Sequence, residues 1–380
     1  MGKLRSFCFL FILMVVLCNC GNSKKNPPKS IDDINSKSVA DNQKTKLILE
    51  ALKEGEIHIT DSVFGKTISL IGKRLNLKEK INPNQMLIKD NYLIIDNWGK
   101  DSIFKIFELP DLNCISSFGI QYFGPEGFVS PKLVESFDDS ILFYIYENTD
   151  DKVYKVSKNN LSPVYYQTLP KQPRSLSDKQ ITFYNNNIAY YVASTESDKM
   201  IYYFNKDSLP QEKVIKDLAL HGIKVSSTTV IGDFGINKQF NRMVFAYKYF
   251  KRLKIIDFQT MKERNIIFNA PQLADGLDDV ATLEPTNITH FWGMSPRNKY
   301  FWILYSGRTP IDVMRDNNLG KKYIFVEQYD WNGNPIKRYK LDDWGYFSVD
   351  ENNNKIYLVS TVKPYTLIMY NLNDTINSID

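Results

Sequence analysis

The chain has 380 residues, of which 13% are aromatic, and a formal net charge of +5. Loss of Lys3 and Arg5 with an N-terminal leader would bring the charge to about +3, a near-balance without the electrostatic footprint of a nucleic-acid binder. His58, His221 and His290 share no metal-ligand spacing, and Cys114 is the only cysteine beyond residue 20, so no disulfide can form within the body. No metal or cofactor is therefore expected, and Cys114 reads as a small apolar residue of the core.

The first element is a leader over residues 1–19. Lys3 and Arg5 precede an apolar run over residues 7–18. That run falls short of the roughly 20 residues a membrane-spanning helix needs, but it suits the apolar region of a signal peptide. Its end, Leu17-Cys18-Asn19-Cys20, resembles the bacterial lipobox, with Leu three residues before the acylated Cys. The resemblance implies a mature protein that begins at lipidated Cys20 and is held to a membrane by its acyl chains. Asn19 departs from the small residue usual before that Cys, and Cys18 fits less well because bulky Leu17 would occupy the cleavage position. An ordinary cleaved signal peptide and a short membrane anchor are the alternatives.

Residues 20–45 are polar, with Pro27-Pro28 and several lysines, and bury too little apolar surface to order themselves. They read as a flexible tether. Lys24-Lys25 stand where an acidic run would direct a lipoprotein to the cell surface in some Gram-negative groups. That favours a lipid-anchored protein on the periplasm-facing side of the outer membrane. One short helix is expected between Lys44 and Leu52, and residues 46–380 form the globular domain.

The domain repeats in pattern. Apolar runs recur at residues 92–96, 141–146, 188–192, 242–247, 300–305 and 355–359 and read as inner strands. A polar turn precedes each, such as Asp90-Asn91 or Asn352-Asn353-Asn354, and a further strand precedes each turn. A third strand follows most runs, and fourth strands appear near residues 114–118, 164–166, 214–215, 265–268 and 336–339. Four-stranded units joined by hairpins predict an all-β, six-bladed β-propeller of antiparallel blades. The sixth unit stops at its third strand, so an N-terminal strand, at residues 57–60 or 67–71, is expected to close the ring and cover the last free edge. Two β-sandwiches, or a ring of five or seven blades, are the competing readings.

The stretch from Phe118-Gly119 to Gly124-Pro125-Glu126-Gly127-Phe128, with Asn82-Pro83 upstream, resembles the TolB-like six-bladed propeller lipoproteins, although Glu126 and Gly127 are exchanged against their pattern. The resemblance covers about residues 60–380. It implies the fold and almost nothing about activity.

No catalytic motif is present: there is no His-Glu-x-x-His, Gly-x-Ser-x-Gly, P-loop or dinucleotide fingerprint. The adjacent acids, Asp138-Asp139 among them, suit solvated turns. One link stands out. Between the second and third strands of unit five it stretches over residues 306–321, and long loops in compact domains are functional or disordered. Arg308, Asp312 and Arg315 are the candidates it supplies. Equivalent links carry Trp98, Tyr146, Tyr247, Tyr249 and Tyr365, so these aromatic and charged side chains could hold a protein or carbohydrate partner at a channel mouth. The function expected is an envelope binding scaffold. A hydrolase or lyase acting on glycans or lactones, and a structural subunit of an envelope complex, are the other readings.

Overall fold

The computed structural model describes residues 49–79, 81–97, 102–122, 127–169, 180–184, 187–192, 200–205, 213–218, 220, 231–269, 287–363 and 366–374. The leader, the tether, Cys20, Trp98 and Tyr365 lie outside the described residues, as does most of the stretch expected to hold a short helix; residues 49–52 of that stretch are not helical.

The described chain begins with β1 (Gly55–Ile59), a 3-10 turn at Asp61–Phe64, β2 (Ile68–Leu70) and β3 (Lys73–Leu75). Blade one follows as β4 (Pro83–Lys89), β5 (Tyr92–Asn97), β6 (Phe104–Glu108) and β7 (Asn113–Phe118). Blade two is β8 (Pro131–Glu135), β9 (Ile141–Glu147), β10 (Lys152–Ser157) and β11 (Asn160–Thr168). Blade three is β12 (Gln180–Tyr184), β13 (Asn187–Val192), β14 (Met200–Asn205) and β15 (Lys213–Asp217). Blade four is β16 (Gly232–Asn237), β17 (Arg242–Tyr247), β18 (Arg252–Asp257) and β19 (Glu263–Phe268). Blade five is β20 (Thr289–Pro296), β21 (Tyr300–Arg308), β22 (Ile324–Asp330) and β23 (Pro335–Leu341), with helix α1 (Pro310–Asn318) after its second strand. Blade six is β24 (Gly345–Asp350), β25 (Lys355–Ser360) and β26 (Leu367–Asn371), completed by β3. The chain is thus an all-β propeller of six small sheets, and the first strands of successive blades contact one another around the axis.

The apolar runs are second strands, not the innermost ones. β9 and β17 are buried along their whole length, and β5 and β25 nearly so, because a second strand is covered on both faces by neighbouring blades. The innermost strand lines a polar axis and cannot be uniformly apolar. Each hydrophobic cluster sits between two adjacent blades. Leu93, Ile95 and Phe107 of blade one pack on Tyr357, Val359 and Leu367 of blade six, which closes the ring. Ile94 and Ile106 pack on Phe143 and Ile145 of blade two. Burial is thus shared between neighbours, and no blade holds a core of its own.

The closing strand differs from expectation. β3 pairs antiparallel with β26, Ile368 opposite Arg74, and supplies the fourth strand of blade six. The two segments expected in that role add as fifth strands elsewhere: β1 runs parallel to β19 on blade four, and β2 parallel to β23 on blade five. The N-terminal segment therefore covers three consecutive outer edges, each of which would otherwise expose unpaired backbone groups.

The turn chemistry is as expected. Asp90 and Asn354, in hairpins between first and second strands, take left-handed φ of 52° and 51°, a region Asn and Asp tolerate.

Candidate functional site

Innermost strands of adjacent blades diverge from one another and cannot form a common ladder, so their facing backbone groups need other partners. Side chains supply them. Gln85 Oε1 accepts from the Leu133 N–H at 2.8 Å, and Gln180 Nε2 donates to the Gly232 carbonyl at 2.7 Å. Asp233 Oδ2 accepts from Gly293 N–H at 2.7 Å, Ser295 Oγ from Val349 N–H at 3.1 Å, and Ser348 Oγ from Ile88 N–H at 3.0 Å. Each bond links one blade to the next around the axis. This is why the first strands carry amides and hydroxyls where the second strands carry aliphatic residues.

Inside this collar lies a cavity of about 500 Å³ with residues of all six first strands in its wall. Arg297, in the turn just after β20, and Glu135, the last residue of β8, form an ion pair at one end of it. Blades two and five face each other across the ring, so the pair bridges the axis. Arg297 also donates to Val349 O and Ser348 Oγ, each at 2.6 Å. Burial pushes the Glu135 carboxyl above its ordinary range, against the pull of Arg297 and Lys89. A smaller cavity of about 190 Å³ lies beyond, sharing Glu135, Pro296 and Arg297 with the first. The ion pair thus divides the axial channel, and the larger space is a cup closed at the end where the first strands finish.

The opposite end of the cup carries an aromatic wall. Trp292 and Tyr346 both line the cavity, with ring centroids 5.1 Å apart, and Trp344 stacks behind Trp292 at 5.5 Å. The Arg308 guanidinium lies 5.6 Å from the Trp344 ring and 3.8 Å from that of Tyr323. A stack of rings and one cation therefore runs from the base of α1 to the mouth of the cup. Near that mouth Asp96 accepts from Asn84 Nδ2 at 3.0 Å. Burial pushes its carboxyl up to about 7, with the Asn84 donor pulling the other way.

The expected site residues are dispersed. Tyr146 and Tyr247 are fully buried and do not form an open rim: the Tyr146 hydroxyl donates to Asp151 at 2.8 Å and that of Tyr247 to the Leu218 carbonyl at 2.8 Å. They sit in second strands, where both faces are covered. Tyr249 packs against the hydrophobic cluster between blades three and four, with Lys248 over its ring. The long link of blade five is a capped helix. Thr309 Oγ1 accepts from Asp312 N–H at 3.1 Å and donates to Asp312 Oδ2 at 2.8 Å, and Pro310 takes the first helical position. Thr309-Pro310-x-Asp312 is the local start signal that announces this helix. Asp312 is thus spent on the cap and on Arg315 at 2.8 Å, and Arg308 is held by Asp316 at 2.9 Å. Of the described candidates, Tyr146 lines the cavity wall and Arg308 connects to it through Trp344. Trp292, Tyr346 and the Arg297–Glu135 pair were missed because nothing local distinguishes them from ordinary strand residues.

A second charged cluster lies between blades four and five. Buried Glu327 pairs with Arg338 at 2.6 Å and Lys251 at 3.2 Å, and Asp61 of the 3-10 turn joins both cations. Lys251 Nζ also sits 3.6 Å from the Tyr305 ring. Two cations against two anions, packed on aromatic faces, make a neutral structural tie for the N-terminal segment. Among the described residues no group of three His, Cys, Asp or Glu is placed to hold a metal ion. Cys114 is half-buried beside Ser116, and burial raises its thiol.

The TolB-like 6-blade propeller-like family matches residues 76–352. Among solved structures, a member of the DUF4221 family from Bacteroides vulgatus superposes with a TM-score of 0.55 at 12% identity, over 79% of this chain and 95% of that one. A protein of Bacteroides fragilis that carries the description of an exported protein superposes with a TM-score of 0.52 at 11% identity, over 83% and 98% of the two chains. At these identities the likeness is one of fold. No curated protein is similar to this chain in sequence.

Proposed function

This chain belongs to the TolB-like six-bladed propeller family, and on that footing we propose that it is a lipid-anchored envelope protein whose axial cup binds a small polar ligand. The observation that carries the reading is the cup itself. At about 500 Å³ it falls in the roughly 300–1,000 Å³ range of small-molecule sites. Its amides and hydroxyls are held in place by the bonds that tie blade to blade, so a ligand would meet an already ordered set of donors and acceptors.

The anchor rests on the leader, with its basic start, short apolar run and Leu17-Cys18-Asn19-Cys20. The exported description of the Bacteroides fragilis propeller is in keeping with it. The periplasm-facing side of the outer membrane is the proposed location, since Lys24-Lys25 follow Cys20 where a surface signal would be acidic.

Two measurements test the proposal. Mass spectrometry of the protein from its own membranes should find an acylated N-terminal Cys20, and Cys20→Ser should release the chain from the membrane fraction. Native mass spectrometry of the purified protein should find a small molecule retained by the wild type and lost from Ser130→Trp, which puts a large ring at the exposed edge of the cup. Unmodified Cys20 would remove the anchor, and identical masses for wild type and Ser130→Trp would remove the binding role.

A further inference from the structure

We infer that the ligand of the cup is an uncharged sugar, with one ring resting on the Trp292–Tyr346 wall and its hydroxyls taken by Asn84, Gln85 and Gln180. The inference rests on the binding role proposed above and names its chemical class.

The charge of the lining comes first. Lys132 and Arg297 are opposed by Glu135 and Asp233, so the cup carries two charges of each sign. Glu135 and Arg297 neutralise each other, and Asp233 is occupied by the Gly293 N–H. No net field remains to select an anion or a cation. With the wall charges balanced, no net counter-charge offsets the cost of desolvating an ionised ligand here.

The polar groups come second. Asn84 spends its amide nitrogen on Asp96, Gln180 spends its amide nitrogen on Gly232, and Gln85 spends its amide oxygen on Leu133. Among the described residues the opposite end of each amide has no partner, which leaves two acceptors, from Asn84 and Gln180, and one donor group, from Gln85, for a ligand. Because the partners are a carboxylate, a carbonyl and an N–H, each amide orientation is settled by its own bond. A mixed array of donors and acceptors matches hydroxyls, which both give and receive hydrogen bonds. It matches an ammonium or a carboxylate poorly, because each of these does only one.

The aromatic wall comes third. Trp292 and Tyr346 are partly exposed while their neighbours Phe291 and Phe347 are buried. Trp344 backs the Trp292 ring in a stack, so that ring is rigid before any ligand arrives. A pyranose ring presents polarised C–H groups on one face and hydroxyls at its edge. The Trp292 ring, pre-ordered by Trp344 and bordered by amides, is complementary to both, with Tyr346 tilted at 47° beside it. The volume of about 500 Å³ accommodates a mono- or disaccharide.

The test is titration calorimetry of the full chain in a detergent without a sugar headgroup. The probes are glucose, galactose, mannose, N-acetylglucosamine and their common disaccharides, with succinate and a lysine-containing dipeptide as charged comparators. At least one neutral sugar should bind in the micromolar-to-millimolar range and change the tryptophan fluorescence. Trp292→Leu and Tyr346→Leu should each weaken it at least tenfold with circular dichroism unchanged. Gln180→Ala, which leaves the rings intact, should weaken it several-fold, so the result does not depend on one variant folding. Absence of binding by every sugar overturns the inference. So does a sugar indifferent to all three variants, or tighter binding of a charged comparator that Ser130→Trp abolishes. The last result removes the sugar class and leaves the cup as a binding site, whereas equal retained masses for wild type and Ser130→Trp remove both.

Discussion

Arg297 of blade five and Glu135 of blade two, 162 residues apart in sequence, meet as an ion pair that bridges the propeller axis. Most contacts in this ring join neighbours; this one joins opposite blades. It therefore braces the first strands against splaying and divides the channel. Both side chains are largely buried, at 10% and 18% exposure. Arg297→Ala strands the Glu135 carboxylate and removes donors from Val349 O and Ser348 Oγ. The expected loss is about 3–5 kcal/mol in urea unfolding. The Arg297→Met/Glu135→Leu double variant should lose less than Arg297→Ala alone, because no unpaired charge is then left. Equal losses for the two would mean that the pair is not coupled.

Asp61 ties the N-terminal segment to Lys251 and Arg338. Burial opposes ionisation of Asp61, but hydrogen bonds from Arg338 and Lys251 outweigh it and hold the carboxyl below the ordinary aspartate range. A depressed folded pKa gives stability that is present above the unfolded value and is lost as pH falls through the folded one. Asp61→Asn should cost about 1–2 kcal/mol at neutral pH, less than a fully buried pair because Asp61 is about half exposed. The difference between variant and wild type should shrink below about pH 4. A difference independent of pH would show that the carboxylate charge is not what holds the segment.

His290 adds to the same acid dependence, from a buried group that folds uncharged. It is buried, its ring nitrogens have no hydrogen-bond partner among the described residues, and it stacks on Tyr305. Burial, with Lys251 nearby, pushes its pKa down to about 3 from 6.5. The unfolded chain therefore takes up a proton that the folded chain refuses, and stability falls as pH drops below 6.5, by up to about 1.4 kcal/mol per pH unit. His290→Phe should remove that slope and be neutral or stabilising by about 1 kcal/mol at pH 7. Chemical denaturation at pH 5 and pH 7 measures both effects, and an unchanged slope would place the titration elsewhere.

Ring closure depends on a glycine. A Cβ on Gly72 would lie 2.2 Å from Ile368 Cγ2 and 2.8 Å from the ring of Tyr370, both in β26. Tyr370 is fully buried and its hydroxyl donates to Asp342 at 2.9 Å, so it has no room to yield. Gly72→Val should push β3 off β26 and cost about 1–3 kcal/mol or more. The adjacent Ile71→Val, at a side chain 71% exposed, should fall within about 0.5 kcal/mol of wild type. Limited proteolysis should cut between residues 60 and 80 faster in Gly72→Val than in either.

Much of this architecture is written locally. The run at residues 141–146 is apolar at every position because β9 is covered on both faces, and covering on both faces is what a propeller does to its second strands. Asp90 and Asn354 mark their hairpins because their side chains tolerate the left-handed backbone each turn needs. Thr309-Pro310 announces a helix cap within four residues. Each signal is complete in a short window, so period, turns and blade repeat follow from the order of residues.

What the window cannot hold, only closure of the ring decides. Lys73-Arg74-Leu75 has one apolar residue and nothing to mark it as a strand, yet it completes blade six because β26 offers the last open edge there. Residues 57–60 and 67–71 look more strand-like and are taken by other edges. Arg297 finds Glu135, and Trp292 finds Tyr346, only once six sheets have set their first strands around one axis. Apolar periodicity is a property of neighbours along the chain. The cup is made by residues that become neighbours when the circle shuts, and its chemistry was decided there.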